Sequence, residues 1–137
     1  MNYTKQDLKD LVYQVNGAAI EVHKSLGPGL LESVYHKCLK HELKLRKIKF
    51  QSELLIPIQY KGIEVDTELR CDFLIEEKLV VELKSVTEIN PIFEAQILTY
   101  MNLLKAPIGL LINFNVKNIF YEGQKTYVNQ FYNELWD

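Results

Sequence analysis

The sequence predicts an α/β fold: a central mixed β-sheet flanked by helices, two of them N-terminal. Three observations predict it. The first 45 residues carry apolar positions at three- and four-residue spacing, the period of a helix face. From residue 50 the period shortens to two, the period of a strand with one face buried. Ile108 to Phe114 is almost continuously apolar, as in a strand covered on both faces. At 137 residues, one domain spanning 1–137 is expected.

The elements follow in order. Leu8, Leu11, Val12, Val15, Ala19, Val22 and Leu26 make one apolar stripe, entered near Thr4 and stopped by Gly27-Pro28-Gly29. Leu31, Val34, Tyr35, Cys38, Leu39 and Leu43 make a second. Phe50 to Tyr60 reads as strand, ending at the turn signal Lys61-Gly62. Leu69, Cys71, Phe73 and Ile75 then alternate with Arg70, Asp72 and Leu74. Glu76-Glu77-Lys78 reads as a tight turn into Leu79–Lys84, so Asp72 and the Glu82/Lys84 pair lie on neighbouring antiparallel strands. Asn90-Pro91 is a helix start, with an N-cap residue and a proline at the first helical position. Ile119–Tyr121 and Thr126–Val128 flank Gly123 as an outer hairpin, and the aromatic tail docks back onto the domain.

Composition excludes some classes of function. With 47% hydrophobic and 25% charged residues the chain is not a disordered one. A net charge of -2 leaves no global footprint for nucleic acid or an anionic membrane. No apolar stretch approaches the roughly 20 residues that span a bilayer, and the start has no apolar leader. A cytoplasmic protein with Cys38 and Cys71 reduced is expected. Their spacing suggests no zinc site.

The main chemical signal is Asp72, then Glu82-Leu83-Lys84. Two carboxylates on adjacent strands can converge on one hard cation, and Mg²⁺ is commonly held by one or two carboxylates with waters. Lys84 shares the face of Glu82 and can offset charge on a phosphoryl transition state. A solvated strand face is the plainer reading of such a spacing, but Leu79, Val80, Val81 and Leu83 describe a strand covered on both sides, where unpaired charge is costly. Residues 36 to 49 carry a local +5, leaving -7 for the remainder. Lys40, Lys44, Arg46 and Lys47 are the candidate contacts to a phosphate backbone. A solvated helix face is the plainer reading of them, since no aromatic residues interleave for base stacking.

These residues resemble the PD-(D/E)XK nuclease superfamily: Asp72 and Glu82-Leu83-Lys84 on strands, followed by a helix with Gln96 and Tyr100. Gly29-Leu30-Leu31-Glu32-Ser33-Val34-Tyr35 is similar to the motif that names its GxxExxY branch. Cys71 stands where the superfamily usually has proline. The resemblance implies a restriction-endonuclease-like core and hydrolysis of phosphodiester bonds, with DNA as the expected partner. It implies Mg²⁺ or Mn²⁺ on Asp72, Glu82, the Leu83 carbonyl and Glu32. Lys84 would be the catalytic lysine, assisted by Gln96 and Tyr100. A first-turn carboxylate complementing the helix dipole explains Glu32 as well. A binding module that keeps the fold without turnover is the alternative. Tyr121, Tyr127, Phe131, Tyr132 and Trp136 suggest a homodimer interface or a tail folded onto its own domain.

Overall fold

The computed structural model describes residues 2–137. Helix α1 (Lys5–Leu26) opens on a reciprocal cap: the Thr4 hydroxyl accepts from the Asp7 N–H, and the Asp7 carboxylate accepts from the Thr4 N–H. It ends at Gly27, and α2 (Glu32–Leu45) follows. Strand β1 (Phe50–Leu55) leads into a separate hairpin of β2 (Ile58–Tyr60) and β3 (Ile63–Val65). The expected single strand from Phe50 to Tyr60 is therefore two, separated at Pro57, whose missing N–H cannot serve a continuous ladder. Strands β4 (Arg70–Ile75) and β5 (Leu79–Lys84) form the expected hairpin. Glu76 and Glu77 both take positive φ, and the Lys78 N–H donates to the Ile75 carbonyl at 2.9 Å to close the three-residue loop. Helix α3 (Pro91–Leu103) and strand β6 (Ile108–Asn113) complete a β–α–β unit, and β6 runs parallel to β5.

The sheet order is β1-β4-β5-β6-β7, antiparallel except for the β5–β6 pair. Helices α1 and α2 cover one face, over Phe73, Val81, Leu83, Leu110 and Phe114. Helix α3 covers the other, over Leu74, Val80 and Leu111. Its close approach needs Gly109: a Cβ there would lie 2.6 Å from the Met101 sulfur.

The C-terminal outer hairpin is a correction. Only β7 (Gln124–Val128) is a strand, pairing with β6, while Ile119–Gly123 forms a single π-helical turn. The Asn118 side chain accepts from the Tyr121 N–H and caps that turn. Gly123 closes it where a Cβ would sit 2.6 Å from the Asn113 carbonyl oxygen. A short helix α4 (Gln130–Asn133) and buried Leu135 return the tail to the α1 side, but Trp136 stays 80% exposed.

The alternation in β4 also differs from expectation. Phe73 and Ile75 face α1 and α2, but Cys71 joins Leu74 on the α3 side. Strand β1 changes phase at the same level, with Phe50 on one side and Leu54 on the other. The register Ser52↔Phe73 and Leu54↔Cys71 puts Glu53 opposite Asp72, and Glu53 has φ +53 in mid-strand. A left-handed residue within a strand reverses its side-chain phase, so both strands turn over at Asp72.

Candidate active site

Past the pair Phe73↔Val81, the backbone pairing of β4 and β5 gives way to side chains. The Asp72 N–H donates to Glu82 Oε2 at 2.7 Å, and the Leu83 N–H donates to Asp72 Oδ2 at 2.7 Å. Each carboxylate thus takes a backbone donor of the opposite strand and keeps a second oxygen for another ligand. Glu82 is 6% exposed. Burial, then the neighbouring Asp72 charge, pushes its carboxyl up to about 8; the Asp72 N–H and Lys84 pull the other way. Burial also raises Asp72, with Glu53 adding to the rise and the Leu83 N–H, His36 and Lys84 opposing it. A buried ion costs several kcal/mol and a hydrogen bond to a charged group returns only about 1.5–3, so both carboxyls hold their protons to higher pH than free side chains do.

Lys84 is the nearby cation, but it is not paired. Among the described residues no carboxylate oxygen lies within salt-bridge distance of its Nζ. Its ammonium instead sits over the Phe93 ring, 4.3 Å from the centroid. Tyr100 is buried on the α3 side, its hydroxyl pKa raised by burial and by Glu82 and Asp72, so it faces the same charges. Gln96 is half-buried one turn earlier on α3, without a side-chain hydrogen bond among the described residues.

Glu32 comes from the opposite side, in the first turn of α2. Its carboxyl is raised by partial burial and by Asp72, while Lys84 and His36 lower it. It lines a cavity of about 430 Å³ with Ser33, His36, Lys37, Glu53, Arg70 and Asp72. Of the members the sequence does not single out, two bear directly on Asp72. His36 lies one turn after Glu32, stacks on Phe73 and places Nε2 3.3 Å from the Asp72 carbonyl oxygen. Its i+4 relation to Glu32 was a readable signal. Glu53 carried none, because only its backbone conformation brings it opposite Asp72.

Tyr35 is a structural clamp. Its ring stacks on Phe114 at 4.4 Å, its hydroxyl donates to the Gly27 carbonyl at 2.5 Å and accepts from the Leu30 N–H at 3.2 Å. Ser85, next to Lys84, donates to the Leu30 carbonyl at 2.6 Å, so the loop before Glu32 is tied to the end of β5. Asn113 holds the following segment by bonds to both the N–H and the carbonyl of Val86.

The expected basic contacts are dispersed. Arg46 pairs with Glu42 at 2.7 Å and packs beside Gly17 of α1. Lys40 is half-buried, and Lys44 and Lys47 are exposed. Lys37 and Arg70, not among the expected contacts, line the cavity beside Asp72.

Among the described residues, no group of three His, Cys, Asp or Glu side chains forms a metal cluster. The donors that do meet, two carboxylates with free oxygens, fit a hard divalent cation that keeps most of its waters. A family model described as the PD-(D/E)XK nuclease superfamily matches residues 9–126. The chain belongs to this superfamily. Its members generally use divalent metals and act on nucleic acid, and the mixed sheet between helices agrees with a restriction-endonuclease-like fold. Comparison with curated proteins and with solved structures gives no match. Among the described residues no helix is long and apolar enough to cross a membrane.

Proposed function

We propose that this superfamily member is a metal-dependent nuclease that hydrolyses DNA phosphodiester bonds, within its GxxExxY branch, with residues 1–137 acting as one domain in the cytoplasm. The observation that carries the reading is the Asp72–Glu82 pair, Glu82 buried and Asp72 half-buried, both raised in pKa and neither in a salt bridge although Lys84 is near. A group of charges held this far from electrostatic satisfaction marks a functional site more often than a structural one.

Asp72, Glu82 and the Leu83 carbonyl would hold Mg²⁺ or Mn²⁺, with Glu32 reaching it from α2. The bound cation would polarise a phosphoryl oxygen and acidify a water. Lys84 supplies positive charge beside the scissile phosphate as negative charge builds there. Tyr100 and Gln96 bound the α3 side of the pocket and orient polar groups of the substrate. Lys40 and Lys44 of α2, with Arg46 and Lys47 just after it, would contact the phosphate backbone. Exposed Phe120, Tyr121 and Trp136 provide apolar surface for a second copy. Among the described residues Glu32 does not close with Asp72 and Glu82 into a three-ligand group, which favours the runner-up, a binding module with the fold but no turnover.

The test is Mn²⁺-dependent cleavage of labelled single- and double-stranded DNA by the wild type and by Lys84→Ala. Cleavage should fall by roughly 10²-fold in the variant with little loss of binding. Equal cleavage by both proteins would point to a contaminant, and no cleavage of DNA or RNA by the wild type would favour the binding module.

A further inference from the structure

Lys84 is within Coulombic reach of three carboxylates, Glu32, Asp72 and Glu82, yet its ammonium rests on an aromatic face. We propose that Phe93 is a positioning residue that holds the Lys84 ammonium clear of the Asp72–Glu82 pair and so keeps that pair open to a divalent cation. The inference deepens the metal-site reading above and rests on it.

The competing arrangement is simple. A lysine side chain has four flexible bonds and could fold onto the two carboxylates, offsetting one of their charges and filling the place a cation needs. An aromatic face attracts an ammonium without neutralising it, so the charge stays available while the carboxylates stay free. The ring is itself fixed. Asn90 caps α3 by accepting from the Ile92 N–H at 2.9 Å, and the Phe93 N–H donates to the Asn90 carbonyl at 2.9 Å. Pro91 fixes the first helical φ, and the half-buried ring packs against the α3-side core. The cap that starts the helix therefore also sets where Lys84 rests. A leucine at this position would retain apolar packing and lose the ring quadrupole.

The experiment is calorimetric titration of Mn²⁺ into wild type, Phe93→Leu, Phe93→Tyr, Lys84→Ala and the Lys84→Ala/Phe93→Leu double variant. Phe93→Leu should weaken Mn²⁺ binding about 3- to 10-fold, the range of one cation–π contact. Phe93→Tyr should stay within about twofold of wild type, since it keeps the ring face. In the Lys84→Ala background Phe93→Leu should change nothing, because the residue it positions is gone. The NMR signal of the Lys84 ε-methylene reads the contact without metal: shifted upfield by the ring in wild type and Phe93→Tyr, released in Phe93→Leu. Unchanged Mn²⁺ affinity in Phe93→Leu, or a penalty that persists without Lys84, would overturn the inference. A wild type that binds no Mn²⁺ would defeat the metal-site reading instead, and an unshifted Lys84 signal in that protein would overturn the positioning role independently.

Discussion

Two charged clusters lie on the α3 side of the sheet, at the two ends of one row of residues: Glu82 on β5, Leu111 on β6, Lys125 on β7. At the Lys125 end, Glu94 of α3 accepts from Lys125 at 2.8 Å and from the Tyr127 hydroxyl. Those donors hold the Glu94 carboxyl below the usual range. At the Glu82 end the carboxyls are raised, and the ammonium that could neutralise them is held on a ring. Both clusters contain carboxylate, lysine and a tyrosine nearby, so residue types do not separate them. Burial and pairing do. A half-buried carboxylate that already has its cation has no further electrostatic demand; a pair with one member fully buried and no salt bridge can bind a metal.

The comparison breaks most visibly in activity. Asp72→Asn or Glu82→Gln should reduce Mn²⁺-dependent cleavage by roughly 10³-fold or more, as loss of a charge that places a catalytic metal does. Both should also abolish the rise in Tm that Mn²⁺ confers on wild type by binding only the native state. Retained metal stabilisation in Asp72→Asn would place the metal elsewhere.

The next effect is on stability against pH. Glu82 is raised from 4.5 to about 8 in the folded chain, so the unfolded chain loses this proton first as pH rises. Its stabilising contribution is complete below about pH 4.5 and declines as pH climbs towards 8. Metal-free wild type should therefore show a Tm that falls across this window. Glu82→Gln, which keeps an acceptor for the Asp72 N–H, should flatten the slope, and saturating Mg²⁺ should do the same. A slope identical in wild type and Glu82→Gln would assign it to other groups.

A smaller effect is expected at the clamp that supports the Glu82 end. Tyr35→Phe keeps the stacking on Phe114 but leaves the Gly27 carbonyl without its donor, which costs about 1–3 kcal/mol of stability by chemical denaturation. The smallest belongs to the Lys125 end. Glu94→Gln should leave cleavage and Mn²⁺ affinity at wild-type values, with at most a slight change in Tm. A loss of cleavage there would erase the distinction between the two clusters.

Much of the site was readable from residue types and spacing. Asp72, Glu82 and Lys84 were placed on paired strands by period-two alternation and the Glu76-Glu77 turn, and the structure pairs those strands as expected. Asn90-Pro91 marked the start of α3. Less was readable where the backbone leaves its regular form. The phase change at Glu53 and Asp72 runs against alternation, so Cys71 was assigned to the wrong face. The π-helical turn at Ile119–Gly123 read as strand because its aromatic and branched residues favour strands, while the Asn118 cap and the tight contact at Gly123 decided otherwise.

By itself the sequence determined the periods, the caps, the turns and the presence of two carboxylates and a lysine on one hairpin, because these depend on residues close in the chain. Tertiary structure decided which charges are paired and which are not. Local sequence marks Glu82 as lying in a covered strand, but not that it goes without a salt bridge while Glu94 gains Lys125. Their opposite shifts arise from how deeply β5 is covered and from Asp72 standing beside Glu82, against Lys125 and Tyr127 donating to Glu94. Electrostatic energy depends on distance and burial in space, and these are set only when the sheet and its helices have packed.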